Sequence, residues 1–178
     1  MNQKYKYIIP EGVAQSFYIN DDKVVFGPGE HKFEEYHYCS STMLIRPHRE
    51  FETVVLKTIK HPNNTEYAIA FCLFSFMCEI VNPTKYINCH VPVTYLASGT
   101  TNNSLDGEEY VSDMCTNIIF QKLCTLTYEE IEALKGTEID LSSEMCFPEY
   151  QQKMFDNTGA IITQLKVIIA EAAKGEGV

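Results

Sequence analysis

One mostly apolar run, residues 67–81 (YAIAFCLFSFMCEIV), constrains the fold of this chain more than any other segment. Its aromatic and aliphatic residues favour a long, largely buried β-strand. Asn82 and Pro83 end the run, because a proline restricts the residue before it to extended or turn conformations. Glu79 interrupts it, and it is shorter than the ~20 apolar residues that a transmembrane helix needs. A buried strand is therefore predicted, and no transmembrane segment.

The first part of the chain, residues 1–97, shows the period of two that is typical of β-strands. Apolar residues alternate at Tyr5, Tyr7 and Ile9, and again along 51–59. Turn-forming residues lie at 20–22 and 61–64 and separate the strands. Further strands are predicted at 14–20, 23–26, 33–39 and 43–45.

A sharp bend is predicted at Gly27, Pro28 and Gly29. In a type II turn, Pro28 would preset φ at the second position and Gly29 would take the positive φ at the third. No Lys-Ser/Thr pair follows, so the triplet is interpreted as a structural corner and not as a phosphate-binding loop.

The period changes after residues 98–107 (SGTTNNSLDG), which are predicted to be a loop or hinge. Residues 108–124 carry a helical apolar stripe of Val111, Cys115, Ile118 and Ile119. Shorter helices are predicted at 128–134, 141–145 and 149–156. Residues 160–170 alternate again, with Ile161, Thr163, Leu165, Val167 and Ile169 expected on one face of a closing strand. Strands followed by two or three helices and a strand indicate an α+β fold, and residues 173–178 are expected to be a flexible tail.

The charge and cysteine content narrow the function class. The formal net charge is −10 and no basic patch is evident, which disfavours nucleic-acid binding. The seven cysteines form no C-x-x-C pair, and the start of the chain lacks the pattern of a signal peptide. Reduced, mostly buried thiols are therefore expected, in a cytoplasmic compartment.

No motif identifies a catalytic residue, a metal ligand or a cofactor site. His37 with Cys39, expected on one strand face, and Cys89 with His90 are the close Cys/His pairs, and they lie about fifty residues apart, unlike the paired spacings of zinc sites. No local signature surrounds a cysteine nucleophile. Adjacent carboxylates lie at turns and helix starts, where solvation and the helix dipole favour them. No metal and no cofactor is predicted.

Five short motifs follow one another along the chain. Their positions are Glu11 and Gly12, the Gly27–Pro28–Gly29 bend, Asn82 and Pro83, Thr127 and Glu130 of a helix capping box, and Gly159 before the last strand. Taken in this order, they resemble the SPFH (stomatin/prohibitin/flotillin, or band 7) domain family, over roughly residues 8–172. The chain departs from the family pattern where Asn82 replaces the usual Asp before proline and where Lys135 follows the capping box in place of Arg.

The resemblance implies one domain, 1–178, with an antiparallel β-rich part (1–97), a loop (98–107) and an α+β part (108–172). It also implies a non-enzymatic scaffold that self-associates into a ring or cage, often at membranes, as in stomatin-like, prohibitin-like and vault-shoulder domains. Without the hydrophobic hairpin of many members before residue 8, membrane contact is expected to be peripheral, at the cytoplasmic face of a membrane. The expected interaction surface consists of edge strands and the acidic residues Glu108, Glu109 and Asp113.

Two other functions stay open at this point. The chain could be a regulatory module that docks a partner protein or protease through residues 98–107 without assembling. It could also be a small hydrolase that uses a Cys–His pair, since any of its seven cysteines could meet any of its five histidines in space.

Overall fold

The computed structural model describes residues 5–59, 67–92, 104–145 and 148–175. This part of the chain forms an α+β fold in which every strand pair is antiparallel. The strands are β1 (Tyr5–Ile9), β2 (Val13–Ile19), β3 (Asp22–Phe26), β4 (Gly29–Phe33), β5 (Cys39–Leu44), β6 (His48–Ile59), β7 (Tyr67–Ile80), β8 (Val91–Pro92), β9 (Ser104–Leu105), β10 (Glu138–Asp140) and β11 (Ala160–Gly175). The helices are α1 (Pro83–Ile87), α2 (Gly107–Leu123), α3 (Tyr128–Ala133), α4 (Ser142–Met145) and α5 (Pro148–Thr158).

The largest sheet has the strand order β10-β11-β7-β6, and the predicted apolar run is β7, one of its two inner strands. The even-numbered residues of β7, from Ala68 to Ile80, are buried, whereas the odd-numbered ones are partly exposed and Leu73 is exposed. The strand is therefore long as predicted, but it is fully buried on one face only. This buried side of the sheet is called the core face below, and the other side the open face.

Helices cover the core face. The predicted stripe of α2, Val111, Cys115, Ile118 and Ile119, is buried in the same cluster as the inward residues of β6, β7 and β11. Ile131 of α3 and Met154 of α5 complete this cluster. Burial of each large aliphatic side chain contributes roughly 1.5–3 kcal/mol, so this layer supplies most of the driving force for folding.

The structure of the closing strand β11 contradicts two predictions. A register shift between Ile162 and Gln164 moves the strand's alternation by one residue, so Ile162 is buried on the same side as Leu165, Val167 and Ile169. Ile161 and Thr163 do not lie on that buried side, although the strict alternation predicted it. The strand also continues to Gly175, so residues 173–175 are paired with β7 and are not a tail. Residues 176–178 lie outside the described residues.

The N-terminal part forms two small sheets, with orders β3-β2-β5 and β1-β4. Phe17 is fully buried between them, with its ring centroid 4.9 Å from that of Tyr7, 5.8 Å from Phe26 and 5.6 Å from Phe33. Aromatic rings at such distances and tilts contribute beyond their buried area, so this cluster joins the two sheets.

Strand 33–39 was the wrong prediction in this region. The chain leaves β4 at Phe33 and enters β5 only at Cys39. The connecting residues are held by tertiary contacts: Tyr7 Oη donates to the His37 carbonyl at 2.7 Å, and the His37 ring lies against Phe33. His37 and Cys39 therefore do not share a strand face, because only Cys39 is in a strand.

Five short elements were not predicted: β4, α1, β8, β9 and β10. Helix α1 begins at Pro83 because the Asn82 side chain accepts a hydrogen bond from the Lys85 amide, which caps the first turn. The predicted loop 98–107 includes β9, and Gly107 is the first residue of α2. Its first part, 98–103, lies outside the described residues.

Substitution of Gly159 tests the junction between α5 and β11. Gly159 has φ of +72°, and an added Cβ would lie 2.8 Å from the Asn82 carbonyl oxygen. We expect Gly159→Ala to lower the free energy of unfolding by roughly 3 kcal/mol, because backbone strain and a clash with backbone add.

Two glycines are matched controls. Gly136 has φ of +76° and open space where an added Cβ would lie, so Gly136→Ala should cost about 1 kcal/mol from strain alone. Gly27 has neither constraint, and Gly27→Ala should change stability by less than about 0.5 kcal/mol. Urea unfolding measures the free energy of unfolding of the three variants, which should fall least for Gly27→Ala and most for Gly159→Ala. Equal losses for Gly136→Ala and Gly159→Ala would contradict the predicted clash at Gly159.

Candidate interaction site

A cleft of about 260 Å³ lies where the first turn of α2 meets the N-terminal end of β6. Strand β6 reaches it because residues 48, 50 and 52 point to the same side as the buried Val54 and Leu56. The core face thus becomes polar beyond the part that helix α2 covers. The cleft is lined by Thr42, Met43, Leu44, His48, Glu50, Glu52, Phe76, Cys78, Ile80, Tyr86, Glu108 and Val111.

An imidazole–carboxylate pair lies in this cleft. His48 Nε2 is 2.9 Å from Glu50 Oε1, and the other ring nitrogen, Nδ1, is 2.8 Å from the Arg46 carbonyl oxygen. Both ring nitrogens therefore face oxygen acceptors, which fixes the orientation of the ring. Glu50 is about half exposed, so this pair contributes little to stability and mainly shapes the cleft.

The other two carboxylates connect β6 with α2. Ser112 Oγ of α2 donates a hydrogen bond to Glu52, one turn after Glu108. Burial first, and then the nearby charges of Asp106, Glu50 and Glu52, raise the pKa of Glu108 above its usual value. Among the described residues, no Lys or Arg forms an ion pair with Glu50, Glu52 or Glu108. The cleft therefore carries negative potential.

A cysteine and a histidine do meet at this cleft. Cys78 of β7 is the cross-strand partner of His48. Burial, followed by the charges of Glu50 and Glu79, raises the pKa of the Cys78 thiol to about 12, so the thiolate is scarce at neutral pH. Both His48 nitrogens already face other acceptors, and neither hydrogen-bonds Cys78 Sγ. This geometry does not provide the base-activated nucleophile that a Cys–His hydrolase needs.

The open face of the largest sheet carries a second feature, an apolar surface without a covering layer in the described part of the chain. Phe51 is 75% exposed, Val55 44% and Leu73 41%. They are neighbours, because Leu73 is paired with Thr53, which lies between Phe51 and Val55 on β6. Ile168 of β11 is paired with Leu73 and extends the surface across three strands.

The β6 edge of this sheet is also unpaired in the described residues. Strand β6 pairs with β7 on one side, and no other described strand pairs with it. The pairing of β6 with β7 is regular from His48 to Leu56, and a register shift follows before Ile59. The regular part therefore presents unpaired backbone groups beside both the cleft and the open face.

The Gly27–Pro28–Gly29 bend carries the chain from one N-terminal sheet to the other. Strand β3 before it pairs with β2, and β4 after it pairs with β1. Gly29 has φ of +130°, the positive sign that the sequence predicts, and the His31 ring donates to the Gly27 carbonyl at 2.8 Å. The bend is therefore a corner between the two sheets.

The remaining motif positions lie at element boundaries. Gly12 has φ of +76° before β2, beside the exposed Glu11, and its carbonyl accepts from the Ile45 amide at 2.9 Å. Thr127 and Glu130 form the predicted capping box of α3, with both reciprocal hydrogen bonds present.

The structure brings two distant motif positions together. The Gly159 carbonyl accepts hydrogen bonds from the amides of Val81 and Asn82, at 3.0 and 2.9 Å. Asn82 and Pro83 begin α1 at the same point. This contact fixes the end of β7 against the start of β11, so these residues serve the fold.

The three acidic residues expected to form one surface have separate environments. Glu108 lines the cleft, whereas Glu109 closes a capping box with Asp106 at the start of α2. Asp113 is half-buried, its Oδ2 accepts from Asn117 at 3.0 Å, and its Oδ1 is buried without a hydrogen-bond partner. The structure thus gives the three carboxylates different surroundings, and their joint role as an interaction surface stays a prediction.

Sequence reasoning missed His48, Glu50 and Glu52. A signal was present, because these polar residues have the same parity as Val54 and Leu56, but the predicted strand began at Phe51 and left out His48 and Glu50. Polar residues that continue a buried stripe indicate a place where the core face opens to solvent.

No family model matches this chain, and a search of the curated proteins also finds no match. None of the helices in the described residues is long and apolar enough to cross a membrane. Over the same residues, no three His, Cys, Asp or Glu side chains are grouped so that they could hold a metal ion.

Thiol reactivity tests the environment of Cys78. We expect iodoacetamide to modify Cys78 at least about tenfold more slowly than the half-buried Cys39 in the native protein at neutral pH, because burial keeps Cys78 protonated and inaccessible. Peptide mass spectrometry over time measures both rates. In denaturant the two rates should converge, and fast native labelling of Cys78 would instead support the hydrolase alternative.

The stability of Asp113 variants tests the half-buried carboxylate. Burial raises the Asp113 pKa, so folding favours its protonated form, and that contribution is lost as pH rises through the folded-state pKa. We expect Asp113→Asn to stabilise the protein at neutral pH, by on the order of 1 kcal/mol, and the gain to shrink on acidification. Thermal unfolding across pH measures this, with the exposed Asp22→Asn as control, and a pH-independent gain would contradict it.

Proposed function

We propose that this chain is a non-enzymatic scaffold domain of the SPFH type that self-associates through contacts between unlike surfaces. The observation that carries the proposal is the open face with Phe51, Val55 and Leu73 exposed together beside a free edge strand. Contiguous exposed apolar surface on a sheet is characteristic of protein–protein contacts. The SPFH assignment is supported by the α+β element order and by the positions of the five motifs at element boundaries.

A second exposed surface supports head-to-tail contacts. Tyr5, 46% exposed, and Tyr36, 65% exposed, lie in edge-to-face contact 5.7 Å apart on the N-terminal part. Tyrosine is enriched at interfaces because a large apolar ring is combined with a polar end. Two different apolar surfaces on one chain are what a heterologous contact needs, and heterologous contacts that close make rings.

The net charge of −10 sets the conditions for this association. Two copies repel each other at long range, and salt screens that repulsion over about 8–10 Å at physiological strength. Apolar contacts are not weakened by screening. Self-association should therefore be stronger at higher ionic strength. A location in the cytoplasm or at a membrane face, peripheral membrane contact and docking of a regulatory partner stay predictions.

Light scattering over a concentration series tests the proposal. Wild-type chain should rise in mass above the monomer, and more so in salt. Two double variants should stay monomeric, because each lost apolar contact weakens association by roughly 1–2 kcal/mol. One combines Phe51→Ser with Leu73→Ser, and the other combines Tyr5→Ser with Tyr36→Ser. Val81→Ser is the matched control, since Val81 is exposed outside both surfaces.

Mixing the two double variants distinguishes unlike from like surfaces. Each variant retains the surface that the other lacks, so a head-to-tail contact predicts a one-to-one dimer that does not grow further. A dimer formed by the tyrosine variant alone would show face-to-face pairing and would overturn the ring. A wild-type monomer at all concentrations and salt levels would overturn the scaffold proposal.

A further inference from the structure

The free edge of β6 is suited to strand addition. From His48 to Leu56 the strand is regular, and in the described residues no backbone hydrogen bond from another element reaches its outer side. An extended peptide binds such an edge through its main chain, and its alternate side chains then point to the two faces of the sheet. What lies on each face beside β6 therefore determines which peptide fits.

The two sides of β6 differ in chemistry. On the core side, Glu50 and Glu52 border the cleft with Glu108 opposite them, and no described Lys or Arg neutralises these carboxylates. On the open side, Phe51 and Val55 are exposed. An added strand would place one set of side chains beside carboxylates and the other set beside apolar groups.

Charge complementarity identifies the occupant. The net charge of −10 attracts cationic segments at long range, and the carboxylates of the cleft would pair with them at contact. The other end of β6 is unsuited to an added strand, because Lys57 and the register shift before Ile59 protect it. The docking length is therefore about eight residues, from His48 to Val55.

We infer that the His48–Val55 edge of β6 binds an extended segment of a partner protein in which Lys or Arg alternates with apolar residues. The cationic side chains lie toward Glu50, Glu52 and Glu108, and the apolar ones continue the open face. Main-chain hydrogen bonds hold the segment, and the alternation gives the specificity. The inference does not rest on the proposed self-association, because it needs one copy of the chain.

Fluorescence anisotropy with labelled octapeptides tests the inference on the full chain. A peptide in which Arg and Val alternate should bind. A peptide with the same residues in two blocks, and the alternating peptide with N-methyl groups on every second amide, should each bind at least about tenfold more weakly. Equal binding of the alternating and block peptides would reduce the interaction to non-specific charge attraction and would overturn the inference.

Protein variants locate the peptide. Glu50→Gln combined with Glu52→Gln should weaken binding of the alternating peptide at least about tenfold, because both changes remove contact charges beside the edge. Glu149→Gln combined with Glu138→Gln makes the same change in net charge away from the cleft and should have little effect. If the two pairs weaken binding equally, the site is not at β6. An unchanged melting temperature checks that each variant is folded, and absence of binding by wild-type chain overturns the inference outright.

Discussion

The pairing of β7 with β11 on one side and β6 on the other is the constraint on which the rest of the structure depends. Strand β7 has fourteen residues, and its pairing fixes the register of both neighbouring strands. One set of its alternate side chains therefore faces the helices, and the other set faces outward. Phe74 and Phe76 are buried in the core for the same reason that Leu73 is exposed. The apolar composition of β7 therefore specifies both the core and the surface that the proposed assembly uses.

The two halves of edge strand β6 have different roles in the structure. Its C-terminal half completes the core through Val54 and Leu56, where α2 covers it. Its N-terminal half extends past the helix, and the same side of the strand carries His48, Glu50 and Glu52. The stripe becomes acidic there without a Lys or Arg counter-charge in the described residues. Burial first, and then the neighbouring carboxylates, raise the pKa of Glu108, so ionisation of Glu108 costs the isolated chain free energy.

Much of the fold follows from local patterns, and the failures have tertiary causes. The strand 67–81, helix 108–124 and the Thr127–Glu130 box were predicted because burial, period and capping are encoded in neighbouring residues. The faces of β11 were assigned wrongly because the shift after Ile162 depends on pairing with β7. Residues 34–38 are irregular because Phe33 and His37 pack in a cluster formed by other strands. The cleft combines β5, β6, β7, α1 and α2, and no single segment shows that combination.

The two proposed occupants of β6 adjoin each other, and this has an energetic consequence. A peptide added at the edge would contribute its outward apolar residues to the open face, which enlarges the surface available to a second copy. Its cations would also reduce the repulsion between copies that each carry a net charge of −10. Both effects favour association of the occupied chain over the empty one. Because linkage between binding equilibria is reciprocal, association would tighten peptide binding by the same factor. A free edge and an open face on the same strand would thus couple the proposed partner recognition to the proposed assembly without any change in the fold.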